Sequence, residues 1–278
     1  MPGRWQLIQQ FPDTRMKKLG LLLGLLSILG LCLFLMLKDK VFDSSGVRDL
    51  EIYCAAGLQK PVEEIAHQYE DEHGVKVLLT FGGSGQLLAK LEVAGGDLYL
   101  PVDKSYVDLA TERGLAAESF PVSRLTAGII VAKGNPKNIK TLGDLAREDV
   151  KVVIAERSAG VGRFTHAALE NTGLLETIEN GIISKVGTVN EVALQVDLGV
   201  SDAGVIWDAL IPQFKQSEFV RVAEFDQKPV QAAIAVLNSS ENKTEALAFS
   251  RYLIAKDKGA KVFKKYGFDV LPNSQREE

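Results

Sequence analysis

From Leu50 onward, short apolar runs alternate with amphipathic stretches of helical spacing, and this alternation limits the chain to strand-helix units built around mainly parallel sheets. Residues 50–55 read as a strand; Val62, Ile65, Ala66 and Tyr69 recur at helical spacing, Gly74 stops that helix, and residues 75–81 form the next strand. The unit repeats with Leu87, Leu88 and Leu91 on a helix, a strand over 97–101, and a helix from Ser105 that ends at Gly114. A second series opens with an apolar strand over 125–132 and the turn Gly134-Asn135-Pro136, after which Thr141 and Asp144 have capping-box spacing. It continues with a strand over 151–155, helices over 163–171 and 189–198, and a strand over 203–207. A last apolar strand, 230–237, precedes helices over 246–254 and 260–266. The expected fold class is α/β with two lobes, each a mainly parallel sheet flanked by helices, joined by two crossovers. Residues 48–124 with 229–278 make the first lobe and 125–228 the second.

The chain of 278 residues is long enough for two packed lobes. Its net charge of -4 and the absence of a Lys/Arg cluster argue against a nucleic-acid partner, because phosphate-backbone binding needs a basic face. Residues 19–37 carry no charge and follow Arg15, Lys17 and Lys18, so 1–18 read as a cytoplasmic segment, 19–37 as a membrane anchor, and 38–47 as a linker. A cleaved signal peptide is the competing reading, although no small-x-small cleavage site directly follows Leu37. Either way the lobes are expected outside the cytoplasmic membrane. Cys32 lies in the apolar run and Cys54 beyond it, which makes a disulfide between them implausible.

Three strand-to-helix junctions carry small residues: Ala55-Ala56-Gly57, Gly82-Gly83-Ser84-Gly85, and Ser158-Ala159-Gly160-Val161-Gly162. A helix N-terminus offers unpaired N–H groups and about half a unit of positive charge, so such loops can hold an anion without Lys or Arg. The alternative is that the glycines only make tight turns and Ser84 only caps. A fourth junction, Thr188-Val189-Asn190-Glu191, has capping-box spacing and puts Val189 at a first helical position. Enzyme signatures are lacking: Gln86 stands where a serine-hydrolase elbow needs glycine, and there is no Gly-Lys-Ser/Thr loop. His67, His73 and His166 are not spaced as metal ligands, so no metal and no cofactor is expected. Cys54 reads as a buried thiol before a nucleophile.

In order and spacing, the segments from Ile52 to Leu58, Phe81 to Gly85, Gly96 to Leu100, Asp202 to Asp208 and Phe263 to Phe268 resemble the periplasmic molybdate-binding proteins of ABC transporters, including the related tungstate-binding ones. The resemblance implies a type II periplasmic-binding fold that closes on an oxyanion between its lobes and delivers it to an ABC permease. It implies that Ser84 donates its hydroxyl, that Ala159 is a main-chain donor of the second lobe, and that Val189 donates from a helix start. Two positions depart from the family pattern. Gly57 stands where the family has a serine, and Trp207 stands where it has a tyrosine. Gly57 keeps an N–H, and Trp207 donates through its indole, which suits a fully deprotonated dianion.

Phosphate, sulfate or a small organic anion ranks behind molybdate and tungstate. A less favoured arrangement has Glu156 or Asp208 as a direct ligand. A membrane-tethered sensor using the same trap is the alternative role, and an enzyme using Cys54 or a histidine is the remote one.

Overall fold

The structure, a computed structural model, describes residues 49–226 and 229–271. The expected cytoplasmic segment, membrane anchor and linker lie outside the described residues. Among the described residues no helix is long and apolar enough to cross a membrane.

In the first lobe, β1 (Leu50–Ala55) leads through a 3-10 turn (Ala56–Leu58) into α1 (Gln59–His73), and β2 (Val77–Gly82) leads into α2 (Ser84–Ala94). β3 (Leu98–Leu100), α3 (Ser105–Glu112) and β4 (Ala116–Leu125) follow. The second lobe holds β5 (Ala127–Ala132), β6 (Val152–Ala155), α4 (Gly160–Thr172), α5 (Leu175–Gly181), β7 (Ile182–Val186), α6 (Val189–Asp197), β8 (Ala203–Trp207), β9 (Ser217–Val220) and α7 (Ala223–Asp226). β10 (Val230–Leu237) returns to the first sheet, and α8 (Lys243–Ile254), α9 (Gly259–Lys265) and β11 (Asp269–Val270) complete that lobe.

The sheet orders are β11-β4-β10-β3-β1-β2 and β7-β6-β8-β5-β9. Each contains three mutually parallel strands, β1 to β3 in one and β6 to β8 in the other, and the remaining pairings are antiparallel. The sheets are therefore mixed where mainly parallel ones are expected. The antiparallel pairings come from the crossover strands: β4 carries the chain out into β5, and β10 brings it back.

The elements form where apolar spacing and terminators agree. α1 buries Val62, Ile65, Ala66 and Tyr69 on one face, and Gly74, at φ 70°, ends it in the left-handed region that glycine reaches without steric cost. Thr141 accepts the Asp144 N–H in the expected capping box, but the segment it starts is a short 3-10 turn (Leu142–Ala146). β4 is not evident from sequence. Its Pro121 lies at a bulge, where Ser123 and Pro121 face Ala232 and Ala233 and Val122 is skipped. Proline has no N–H to give a ladder, and a bulge is where a strand tolerates it.

All the parallel strands, β1 to β3 and β6 to β8, deliver their C-terminal ends to the cleft between the lobes. In open α/β sheets this is the edge where loops and helix N-termini gather and ligands bind.

Candidate functional site

Four helix beginnings meet at one small cavity. Its walls are the start of the 3-10 turn before α1, the Gly82-Gly83-Ser84 loop into α2, Ala159 to Val161 at the head of α4, and Thr188-Val189 at the head of α6, with Val102 and Trp207 between them. None of these residues carries an ionisable side chain. Positive potential there comes from the N–H groups of first helical turns, which have no intrahelical acceptor. Gly57, Ser84, Ala159, Val189 and Trp207, far apart in the chain, are brought together in this one cavity.

Ser84 is the first residue of α2 and is buried. The Val102 N–H donates to its Oγ at 3.4 Å, leaving the hydroxyl proton unassigned to any protein acceptor. The Tyr99 hydroxyl donates to the Ser84 carbonyl at 2.7 Å. Burial pushes the Tyr99 pKa well up, so it remains a donor. Gln86 accepts the Gly83 N–H at 3.2 Å and pins the loop ahead of the helix.

Ala159 is buried in the cavity wall, but its N–H donates to the Glu156 carbonyl at 2.9 Å. Beside it, Gly160 and Val161, the first two residues of α4, carry N–H groups without an intrahelical acceptor. On α6, the Thr188 Oγ1 accepts the Glu191 N–H at 3.3 Å and donates to Glu191 Oε2 at 2.8 Å, so its hydroxyl is spent on the cap and the Val189 N–H is the group at the cavity.

Trp207 is fully buried at the end of β8, with its ring 5.5 Å from that of Phe164. Its indole Nε1 is buried without a hydrogen-bond partner among protein groups. A donor left in this state costs about 1 to 3 kcal/mol. Gly57 lies against the same ring: a Cβ there would be 3.7 Å from Trp207 Cδ1 and 3.1 Å from Val189 Cγ1. Val189 thus crowds the side-chain space at position 57, and the indole packs beside it at contact distance.

Glu156 and Asp208 do not line the cavity. Asp208 Oδ1 accepts the N–H groups of Thr126, at 3.1 Å, and Ala209, at 2.9 Å, which fastens the β4-to-β5 crossover. Glu156 is exposed, with its carboxylate 3.5 Å from Ser158 Oγ. Neither carboxylate is placed as a direct ligand. Arg157 pairs with Glu170 at 2.8 Å on the surface. Cys54 is buried, and burial raises its thiol pKa well above the ordinary value, which disfavours a nucleophilic thiolate. His67 is exposed, His73 stacks on Tyr69 at 4.3 Å, and His166 is buried in α4; none reaches the cavity.

Direct contacts join the two walls. The Gly85 N–H donates to the Ser158 carbonyl at 2.8 Å, and Asn190 Nδ2 donates to the Ala56 carbonyl at 3.0 Å. Close backbone approach explains the small residues here, since a Cβ on Gly85 would come 2.8 Å from Ser158 O. Sequence reasoning missed Asn190 and Val102. Neither sits in a glycine-rich junction, and nothing in the local pattern distinguishes them.

A family model described as bacterial extracellular solute-binding protein matches residues 50–269. A binding protein of Haemophilus influenzae is 31% identical over 160 residues, 57% of this chain, and the chain spans 65% of that relative, just under two thirds. The molybdate-binding protein ModA of Mycobacterium bovis is 30% identical over 217 residues, covering 76% of this chain and 80% of that protein. In fold, the chain matches the periplasmic molybdate-binding protein of Azotobacter vinelandii with a TM-score of 0.66 at 19% identity, over 81% of this chain and 100% of that one. With its two mixed sheets, its cleft at the strand ends and a match over most of its length, the chain belongs to the bacterial extracellular solute-binding proteins, is a homologue of the molybdate-binding proteins, and has the type II periplasmic-binding fold.

Proposed function

We propose that the protein captures a tetrahedral oxyanion, molybdate or tungstate, in the cleft between lobes formed by residues 48–124 with 229–278 and by 125–228, and passes it to an ABC importer. The observation that carries this reading is the convergence of four helix N-termini, the Ser84 hydroxyl and the unpartnered Trp207 indole on a small cavity without an ionisable side chain. Such a wall offers donors to a charge it does not itself neutralise with a cation, which favours a compact, fully deprotonated dianion. Hydrogen phosphate carries a proton that needs an acceptor, and no carboxylate lines the cavity. Gly57, Ser84, Val189 and Trp207 are assigned as ligand contacts, together with the head of α4 at Ala159 to Val161. About five charge-assisted hydrogen bonds at roughly 1.5 kcal/mol each supply about 7 to 8 kcal/mol, which corresponds to micromolar capture. The reading assigns the site binding alone, since no ionisable side chain lines the wall to activate the Ser84 or Thr188 hydroxyl. Residues 19–37 are assigned as the segment that tethers the lobes to the outer face of the cytoplasmic membrane.

The test is the melting shift of the full-length chain, kept in mild detergent, with molybdate, tungstate, sulfate, phosphate and a chloride control. A ligand bound only by the folded state adds about 3 to 4 kcal/mol at roughly 100 to 1,000 times its Kd. Shifts with molybdate and tungstate, and none with phosphate, are expected. A shift with phosphate would require a proton acceptor at the site, and no shift with any oxyanion would end the oxyanion reading.

A further inference from the structure

Besides the contacts at the cavity wall, a third set of contacts spans the cleft. Arg163, in the first turn of α4, extends from the second lobe to α3 of the first. Its guanidinium lies over the Tyr106 ring, 4.8 Å from the centroid, and its Nη2 donates to Ser105 Oγ at 3.0 Å. Tyr106 is itself buried, and the Asp103 carboxylate fixes the Ser105 N–H at 2.9 Å, so the receiving surface is rigid. Arg163 is exposed and forms no part of the cavity wall.

We infer that Arg163, Tyr106 and Ser105 form a clasp that stabilises the closed state and sets how long a captured solute is held, without touching the solute. The inference rests on the proposed capture of an oxyanion for its physiological meaning, but the clasp exists in the protein itself. Arg163 is a positioning residue: it joins the head of α4, which lines the cavity, to the helix that follows β3. Planarity matters more than charge here. A guanidinium stacks on a ring and donates from a fixed fork, whereas an ammonium is a compact, strongly hydrated point charge.

The experiment measures the closed fraction of the full-length chain by energy transfer between dyes on Val93→Cys and Leu198→Cys, two exposed positions on opposite lobes, in a Cys32→Ser background that leaves Cys54 buried. Dissociation rates are read with molybdate, tungstate and sulfate. Arg163→Ala and Arg163→Lys are both expected to lower the closed fraction and to speed release by about two- to fivefold, the same factor for every oxyanion that binds, with the ligand-free melting temperature unchanged. A lysine variant that behaves like the native chain while the alanine variant does not would mean that Arg163 acts through charge alone, and would overturn the clasp. An alanine variant with native closure would overturn it too. If the native chain responds to no oxyanion, the capture reading fails, and the ligand-free closed fraction still decides the clasp.

Discussion

On the first lobe's side of the cavity, Ser84 is held at both ends: the Val102 N–H donates to its hydroxyl and the Tyr99 hydroxyl donates to its carbonyl. On the second lobe's side, Trp207 presents an indole N–H that is fully buried and has no protein partner. Ser84 is anchored within its own lobe. Trp207 is a buried donor whose desolvation no protein group offsets, and the proposed capture would supply the missing acceptor. Under the proposed capture the lobes do different work: the first sets the geometry of the site in advance, and the second gains most from the ligand. At Gly57 the group that crowds a side chain is Val189, whose Cγ1 lies 3.1 Å from where a Cβ would stand, while the indole is at ordinary contact distance, 3.7 Å.

The strongest way to break this comparison is to stop the two walls from meeting. Gly85→Ala puts a methyl 2.8 Å from the Ser158 carbonyl, a backbone atom that cannot swing aside. Oxyanion affinity should fall at least about tenfold, about 1.4 kcal/mol. The methyl would also stand 3.3 Å from Tyr106 Cε1 within the first lobe, which offsets the helical preference for alanine, so the ligand-free melting temperature should change little. Calorimetry with unchanged affinity would mean that closure does not require the Gly85 to Ser158 contact.

Trp207→Phe sharpens the contrast, because it removes a donor that the ligand-free protein does not use. Affinity should drop about tenfold, the low end of a charge-assisted bond of roughly 1.5 to 3 kcal/mol, while ligand-free stability in urea changes little, because relief of the unpaired N–H offsets the cavity left by the smaller ring. A loss of stability equal to the loss of affinity would make Trp207 a packing residue only.

Ser84→Ala should have the smallest effect. Binding weakens by about three- to tenfold, and because the Val102 N–H loses its acceptor, the ligand-free protein also loses roughly 0.5 to 1.5 kcal/mol. The first wall thus pairs a binding defect with a stability defect, whereas the second shows the binding defect alone. If both variants behave alike, the distinction between the walls is wrong.

Much of the architecture was legible because the buried strands and the helices between them follow simple periods. β1, β8 and β10 lie where their apolar runs are, and α1 and α6 end within a residue or two of their expected limits. β4, β7 and β9 were not legible. β4 contains Pro121 and is bulged, and β7 and β9 are edge strands with half-exposed residues that leave a weak apolar signal. The cavity loops were readable from their small residues at strand-to-helix junctions, since close backbone approach is a property of residue size. The tight turn that joins the Ala159 N–H to the Glu156 carbonyl was not legible, because turn closure is not encoded in residue type. Asn190 and Arg163 reach across the cleft from otherwise ordinary positions, and only the relation between the lobes gives them partners.

The central claim, that Trp207 donates to an oxyanion from the cavity wall, is tested most directly by the proton and nitrogen resonances of its indole during titration with molybdate. The chain has two tryptophans, Trp5 and Trp207, so two indole signals are expected, and Trp207→Phe assigns them. A downfield shift of the Trp207 N–H proton that saturates with calorimetric binding, with Trp5 unchanged, is the predicted result. Binding by calorimetry with the Trp207 signal fixed throughout would contradict it, and would remove the indole from the site.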